Sequence, residues 1–443
     1  MSNTNEWKNL YAVILIALIT VFLFADQNLM APNLTQIAHD FGFSDVERDV
    51  KLGGHIPLAF WVIGGLVTLF IGYLTDLVSR KKLFVAVIFI GEIPCFLTGF
   101  VETYTQLFWL RALTGVAIGG IIPLTYSLIG DYFPARSRAA AVAWLGLALG
   151  IGIGGGQMLA GFIGSEYGWR LPFIIVAVPN FVLGLLFLTT IEEPARGRTE
   201  ESLKKLIEMG DVYTGRINWS EYWNIFKIKT NILVFLQSIP GCIPWGMLFV
   251  FLIDFYAQDK GYGVESATLL ITIIGAFAIL GSFIGALIGG YLYNKKSKYL
   301  PMLCGTATLL GVIPMALLIN YPGVKGVENP SIIGPLIIGI IAGFIVAITS
   351  QNMKTILLNV NAPETRGSIF SLFNLTDALG TGLGPFIVSS LIRVFGRPVA
   401  FNIANLTWVI CGIILLSIAI TFPKDEMELS KLLSQRAEKM VSR

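Results

Sequence analysis

The sequence predicts an all-α membrane protein with twelve transmembrane helices in two pseudo-symmetric six-helix bundles. Three observations predict it. The 443 residues are 55% hydrophobic and only 13% charged, about half the ~25% charge usual in soluble domains. Apolar runs recur at the ~20 residues needed to cross a bilayer. A pattern from the first half of the chain also returns in the second. Net charge is +3, which supplies no field for a nucleic-acid partner. Cys95, Cys242, Cys304 and Cys411 are scattered through apolar segments, at no metal or redox spacing.

The spans are expected at 10–34, 51–73, 82–101, 106–130, 139–164, 170–190, 231–256, 265–292, 299–320, 331–358, 367–394 and 398–422. The first run, Tyr11 to Met30, is too long for a signal-peptide core and is expected to be retained. Most Lys and Arg fall on alternate connections, among them Arg80, Lys81, Lys82, Arg136, Arg138, Lys295, Lys296 and Lys298. The positive-inside rule then puts both termini in the cytoplasm. The predicted organisation is an N-terminal bundle at 1–191, a cytoplasmic linker at 192–229, a C-terminal bundle at 230–422 and a cytoplasmic tail at 423–443. In the linker Trp219, Tyr222, Trp223 and Phe226 share one helical face, as in a helix lying in the membrane interface.

The repeat has two parts. Gly72-Tyr73-Leu74 returns as Gly290-Tyr291-Leu292, with Asp76 matched by Asn294 and Arg80 by Lys298. Further on, Arg138 matches Arg366, and Gly152, Gly154 and Gly156 match Gly380, Gly382 and Gly384. Repeated six-span halves with a binding site at their interface are a transporter architecture.

Four stretches carry a family resemblance: GYLTDLVSRKK from Gly72, RALTGVAIGG from Arg111, GLALGIGIGG from Gly146, and GWRLPF from Gly168. Together, and in this order, they resemble the loop and span signatures of the major facilitator superfamily. The third lacks the usual proline, with Ile151 in its place. The resemblance implies alternating access about a central cavity. It implies an inner gate of Gly72, Asp76, Arg80, Lys81, Asp131 and Arg138, repeated more weakly as Gly290, Asn294 and Lys298. Gly146, Gly150, Gly154 and Gly155 are expected to let span 5 approach a neighbour closely. Pro240, Gly241 and Pro244 are expected to soften span 7, where the family bends.

Ionisable groups inside spans are costly and usually functional. Asp26 lies ~24 Å along span 1 at helical rise; His55 and Arg111 each lie about one turn into spans entering from outside, so all three can share a level. Asp26 and Arg111 are the expected coupling pair, with His55 within reach; the resemblance links Arg111 to proton coupling. Asp377, with Asn374 one turn away, is expected to face the cavity. Glu92 reads as a structural contact, while Asp254 and Lys354 read as groups that reach to a membrane surface from span ends. Further polar lining is expected from Gln27, Asn28, Thr125, Tyr126, Gln157, Gln237, Trp245, Gln351 and Asn352.

No H-E-x-x-H, G-x-S-x-G or Walker loop is present, and there are two histidines; neither an enzyme nor a metal or cofactor site is expected. The G-x-G-x-x-G from Gly150 follows no strand and is no dinucleotide loop. The expected function is secondary active transport of a small organic anion or amphiphile, coupled to a proton or another ion, by a monomer in the plasma (inner) membrane. Alternatives are a lysolipid or sphingolipid exporter, to which FADQNLMAPNL and EEPARG give a spinster-like look, and a channel or non-transporting receptor on the same scaffold. The sequence leaves open the substrate and the choice between uptake and efflux, or symport and antiport.

Overall fold

The computed structural model describes residues 3–132, 135–193, 225–327, 330–362 and 365–441. Among them every regular element is helical. The main helices are α1 (Asn3–Asp26), α2 (Leu34–Asp40), α3 (Ile56–Leu77), α4 (Arg80–Thr98), α5 (Tyr104–Tyr132), α6 (Ala135–Leu159) and α7 (Leu171–Thr190), then α8 (Lys229–Asp254), α9 (Val264–Lys295), α10 (Tyr299–Ile319), α11 (Ile333–Ala347), α12 (Thr349–Val360), α13 (Arg366–Phe395) and α14 (Arg397–Val441). Three π-helical stretches, Arg48–His55, Ala160–Gly164 and Phe255–Asp259, adjoin α3, α6 and α8.

Among the described residues, 11 helical segments are long and apolar enough to cross a membrane. The predicted third span is present as α4, but it opens on Arg80, Lys81 and Lys82 and carries Glu92 further along. Those charges keep it from qualifying on composition, so the twelfth crossing does not follow from length and hydropathy. The predicted tenth span is one 28-residue crossing, Ile333–Val360, in which Ile348 separates α11 from α12 while keeping helical dihedrals. The predicted tail runs on from the twelfth span as one helix through Pro423. Most of the predicted linker, with Trp219, Tyr222 and Trp223, lies outside the described residues. Phe226 packs tilted against Phe235, with ring centroids 5.9 Å apart.

The helices divide into two compact units. The first gathers the described residues up to Glu193 together with Phe249–Gln258 and Gly263–Thr268; the second gathers the rest. Glycine sets the helix spacing in both. In the first unit a Cβ on Gly152 or Gly156 would come within 2.4 Å of the Val21 oxygen or 2.2 Å of the Ala25 oxygen, so α6 lies directly on α1. In the second, Gly380 and Gly384 press α13 on α8 in the same way, at 2.8 Å from the Ile239 oxygen and 2.4 Å from the Ile243 oxygen. Such backbone approach is how helices gain packing where no hydrophobic effect drives them together.

The close approach therefore corrects the expectation for span 5. Gly146 and Gly155 have nothing within 4 Å of a built Cβ, because they sit on other faces of α6. Gly152 and Gly156, one turn apart, are the contact face. In α8, Pro244 has no N–H to give the Pro240 carbonyl. The Thr407 hydroxyl donates to that carbonyl instead at 2.8 Å, and Trp408 Nε1 donates to the Gly241 carbonyl at 2.9 Å. The proline pair is thus accommodated by α14 side chains, the compensation that lets proline persist in a spanning helix.

Candidate functional site

The ionic centre of the first unit starts from the end of a helix. α1 stops at Asp26, and the chain turns through Gln27–Met30 into a short 3₁₀ stretch, Ala31–Asn33, that contains Pro32. A helix C-terminus leaves carbonyls without partners and carries partial negative charge. Arg111, two turns into α5, answers both needs. Its Nη1 donates to Asp26 Oδ1 at 2.5 Å and its Nη2 to the Asp26 carbonyl at 3.0 Å. The Phe60 and Phe173 rings lie 5.6 and 5.3 Å from the guanidinium carbon, a favourable place for a desolvated cation. Asp26 is 1% and Arg111 2% exposed, so neither charge could lose its partner cheaply.

A small cavity of about 50 Å³ opens beside this pair, wholly within the first unit. Arg111 lines it, with Gln27, Asn28, Phe60, Trp61 and Phe249. Asp26 does not line it and backs the guanidinium from behind. Gln27 Oε1 and Asn28 Nδ2 are buried and have no hydrogen-bond partner among the described residues. One cation, one free amide acceptor, one free amide donor and three aromatic walls therefore converge on one small space. Glu92 is fully buried nearby and accepts from Asn180 Nδ2 at 2.5 Å, in keeping with a structural contact.

The other expected lining groups are not brought to this cavity. His55 ends the π-helical stretch and is half-buried, outside the cavity wall. Thr125 is buried and Tyr126 exposed on α5. Gln157 is buried on α6. In the second unit Asp377 stands with Ser238, Cys242 and Lys354, and Asn374 is half-buried on the same helix. Gln237 bonds Ser238 and Cys411, and Trp245 packs edge-on to Trp408. Asn352 is turned inward, its amide donating to the Gly285 and Ile348 carbonyls, so it braces α9 against α12 rather than lining a cavity. Gln351 is exposed.

Of the expected inner gate, the side chains of Gly72, Asp76, Asp131 and Arg138 lie outside the described residues. Arg80 is buried: its amide donates to Glu193 Oε1 at 2.8 Å, its Nη1 to Ser127 Oγ at 3.2 Å, and Ser79 Oγ donates to Glu193 Oε2. Lys81 is half-buried. Glu193 had no role in the sequence reading, since it adjoins the polar linker. Burial pulls its carboxyl up, but the Ser79 hydroxyl and the Arg80 amide and guanidinium outweigh this and hold it below its ordinary 4.5. In the second copy Gly290 has open space beside it, Asn294 is exposed, and Lys298 is exposed over the Tyr299 ring.

Asp254 corrects a second expectation. It does not reach to a surface: it is 1% exposed and accepts from the Thr35 amide at 3.2 Å and hydroxyl at 2.6 Å.

Comparison with known proteins gives consistent results. The benzoate transport protein of Acinetobacter baylyi (strain ATCC 33305 / BD413 / ADP1) is 27% identical over a segment covering 54% of each chain. The cis,cis-muconate transport protein of the same strain is 21% identical over 93% of this chain and 94% of that one. Among solved structures, an inward-facing, unoccupied bacterial homolog of the human lysosomal transporter Spinster superposes with a TM-score of 0.77 at 20% identity, covering 96% of this chain and 99% of that one. A family model described as Major Facilitator Superfamily matches residues 16–385. The chain belongs to the Major Facilitator Superfamily and is a multi-pass membrane transporter, not an enzyme.

Proposed function

We infer that this transporter carries a small organic anion together with a proton, and that Asp26 and Arg111 are the pair at which the two exchange. One observation carries the reading: Arg111 faces the cavity while its guanidinium is held from behind by Asp26. With Asp26 ionised, the guanidinium is neutralised. Once Asp26 takes a proton, its hold weakens and a positive charge is left facing the cavity, which an anionic solute can neutralise. Loss of the proton restores the pair and expels the anion. Binding of proton and anion then reinforce each other, as linkage requires.

The walls support the choice of solute. Phe60, Trp61 and Phe249 suit a flat apolar body, and the Gln27 and Asn28 amides suit a polar substituent or a second carboxylate oxygen. Two relatives are named for carboxylates, benzoate and cis,cis-muconate. Further parts of the reading are a monomer in the plasma membrane with both termini cytoplasmic, and an inner gate around Asp76 and Arg80.

Uptake of radiolabelled benzoate and cis,cis-muconate into proteoliposomes, with and without an inward proton gradient, tests the pair. The wild type accumulates at least one of them only under the gradient. Asp26→Asn exchanges that solute across the membrane but no longer accumulates it, and Arg111→Ala does neither. Accumulation by Asp26→Asn equal to wild type refutes the coupling role.

A further inference from the structure

The turn that ends α1 carries two adjacent amide side chains. Gln27 and Asn28 follow Asp26 directly, ahead of Pro32. Both line the cavity that Arg111 lines. Asn28 is 6% exposed. Its Nδ2 and the Gln27 Oε1 are buried atoms with no hydrogen-bond partner among the described residues. Apart from these two amides and the Arg111 guanidinium, the side chains of the wall are apolar or aromatic, Phe60 and Trp61 among them. The wall itself therefore offers the amides little to pair with.

A buried polar group left unpaired is costly, and a ligand that displaces water without replacing its hydrogen bonds bears that cost. Gln27 Oε1 can only accept, and Asn28 Nδ2 can only donate. The two atoms together sort chemical groups. A carboxylate or keto oxygen only accepts, so it pairs Asn28 and strands Gln27. An ammonium only donates, and it would share the cavity with the like charge of Arg111. A bare ring edge pairs neither amide. A hydroxyl pairs both: its O–H donates to Gln27 Oε1 while its oxygen accepts from Asn28 Nδ2.

We propose that Gln27 and Asn28 form a subsite that reads a hydroxyl group, and that the preferred solute is a flat carboxylate bearing a hydroxyl. Its carboxylate pairs with Arg111, its body lies against Phe60 and Trp61, and its hydroxyl sits between the two amides. The proposal rests on the organic-anion reading above and sharpens it to a solute class. Isothermal titration of the purified full-length chain in detergent tests it. The probes are benzoate, meta- and para-hydroxybenzoate, and the two matching methoxybenzoates, whose ether oxygen accepts but cannot donate.

At least one hydroxybenzoate binds tenfold or more tightly than both benzoate and its own methoxy analogue, a factor of about 1.4 kcal/mol. Gln27→Leu and Asn28→Leu each lower the ratio of hydroxybenzoate to benzoate affinity at least threefold. A ratio under tenfold for both isomers in the wild type overturns the subsite while the anion reading stands. A ratio that both variants keep overturns its assignment to these residues. The ligand series in the wild type decides the matter if the variants fail to fold. Failure of the underlying reading looks different: none of the five probes binds, or Arg111→Ala binds them as the wild type does, and the subsite falls with it.

Discussion

Arg80 and Lys298 occupy matching places in the repeated loops, yet the chain uses them differently. Arg80 is 3% exposed and wired to Glu193 and Ser127, whereas Lys298 is exposed and rests on its neighbour's ring. The spans repeat the contrast. The first unit buries an ion pair, Asp26 with Arg111. The second meets much of its buried polarity with amides: Asn231 and Asn361 exchange two bonds of 2.8 Å, and Asn352 holds the Gly285 carbonyl. The glycine packing of α6 on α1 and of α13 on α8 is the same in both. The duplicated helices share their backbone contacts and differ in the polar groups they bury.

The largest expected effect breaks the contrast at its centre. Arg111→Ala strands the buried Asp26 carboxylate and lowers stability by about 3–5 kcal/mol, read as thermal unfolding in detergent. Lys354→Ala in the second unit, half-buried and with no ion pair at hydrogen-bond distance among the described residues, shifts the melting temperature far less. Equal shifts would erase the distinction between the units.

The repeated loops come next. Arg80→Ala removes hydrogen bonds from a charged, buried group and costs about 1.5–3 kcal/mol, while Lys298→Ala stays within about 0.5 kcal/mol, as surface substitutions do. The shared packing is sharpened by Gly156→Ala and Gly384→Ala. Each forces a Cβ against a carbonyl oxygen and costs about 1–3 kcal/mol, with similar values expected at the two sites.

The smallest effect is a pH dependence. Glu193 is held below its ordinary 4.5 in the folded protein. Its contribution is therefore complete above that value and is lost as pH falls through the lower folded value. Melting curves taken downward from pH 4.5 should show an acid-side loss that Glu193→Gln lacks; parallel curves would remove Glu193 from the Arg80 network.

Much of this was legible in the residues. Apolar run length set the spans, and helical rise alone brought Asp26 and Arg111 to one level. The repeat marked both glycine pairs, but a single helix does not say which of its faces meets a neighbour, so the sequence points to Gly146 and Gly155 where Gly152 and Gly156 make the contact. What was hidden depends on contacts distant in the chain. Asp254 reads as a span-end acid until Thr35 and Arg48 are seen around it. Glu193 reads as linker until Arg80 reaches it, and the proline pair of α8 reads as a weak point until Thr407 and Trp408 take its carbonyls. Glu92 reads as a costly charge inside a span until Asn180 of α7 is seen donating to its Oε1.

The central claim is that proton and anion meet at Asp26 and Arg111. Its most direct test follows the proton itself, with a pH dye outside de-energised proteoliposomes as the solute identified by uptake is added. The account predicts alkalinisation of the outer medium with wild type and none with Asp26→Asn, even though that variant still exchanges the solute. Alkalinisation of equal size by Asp26→Asn would contradict it.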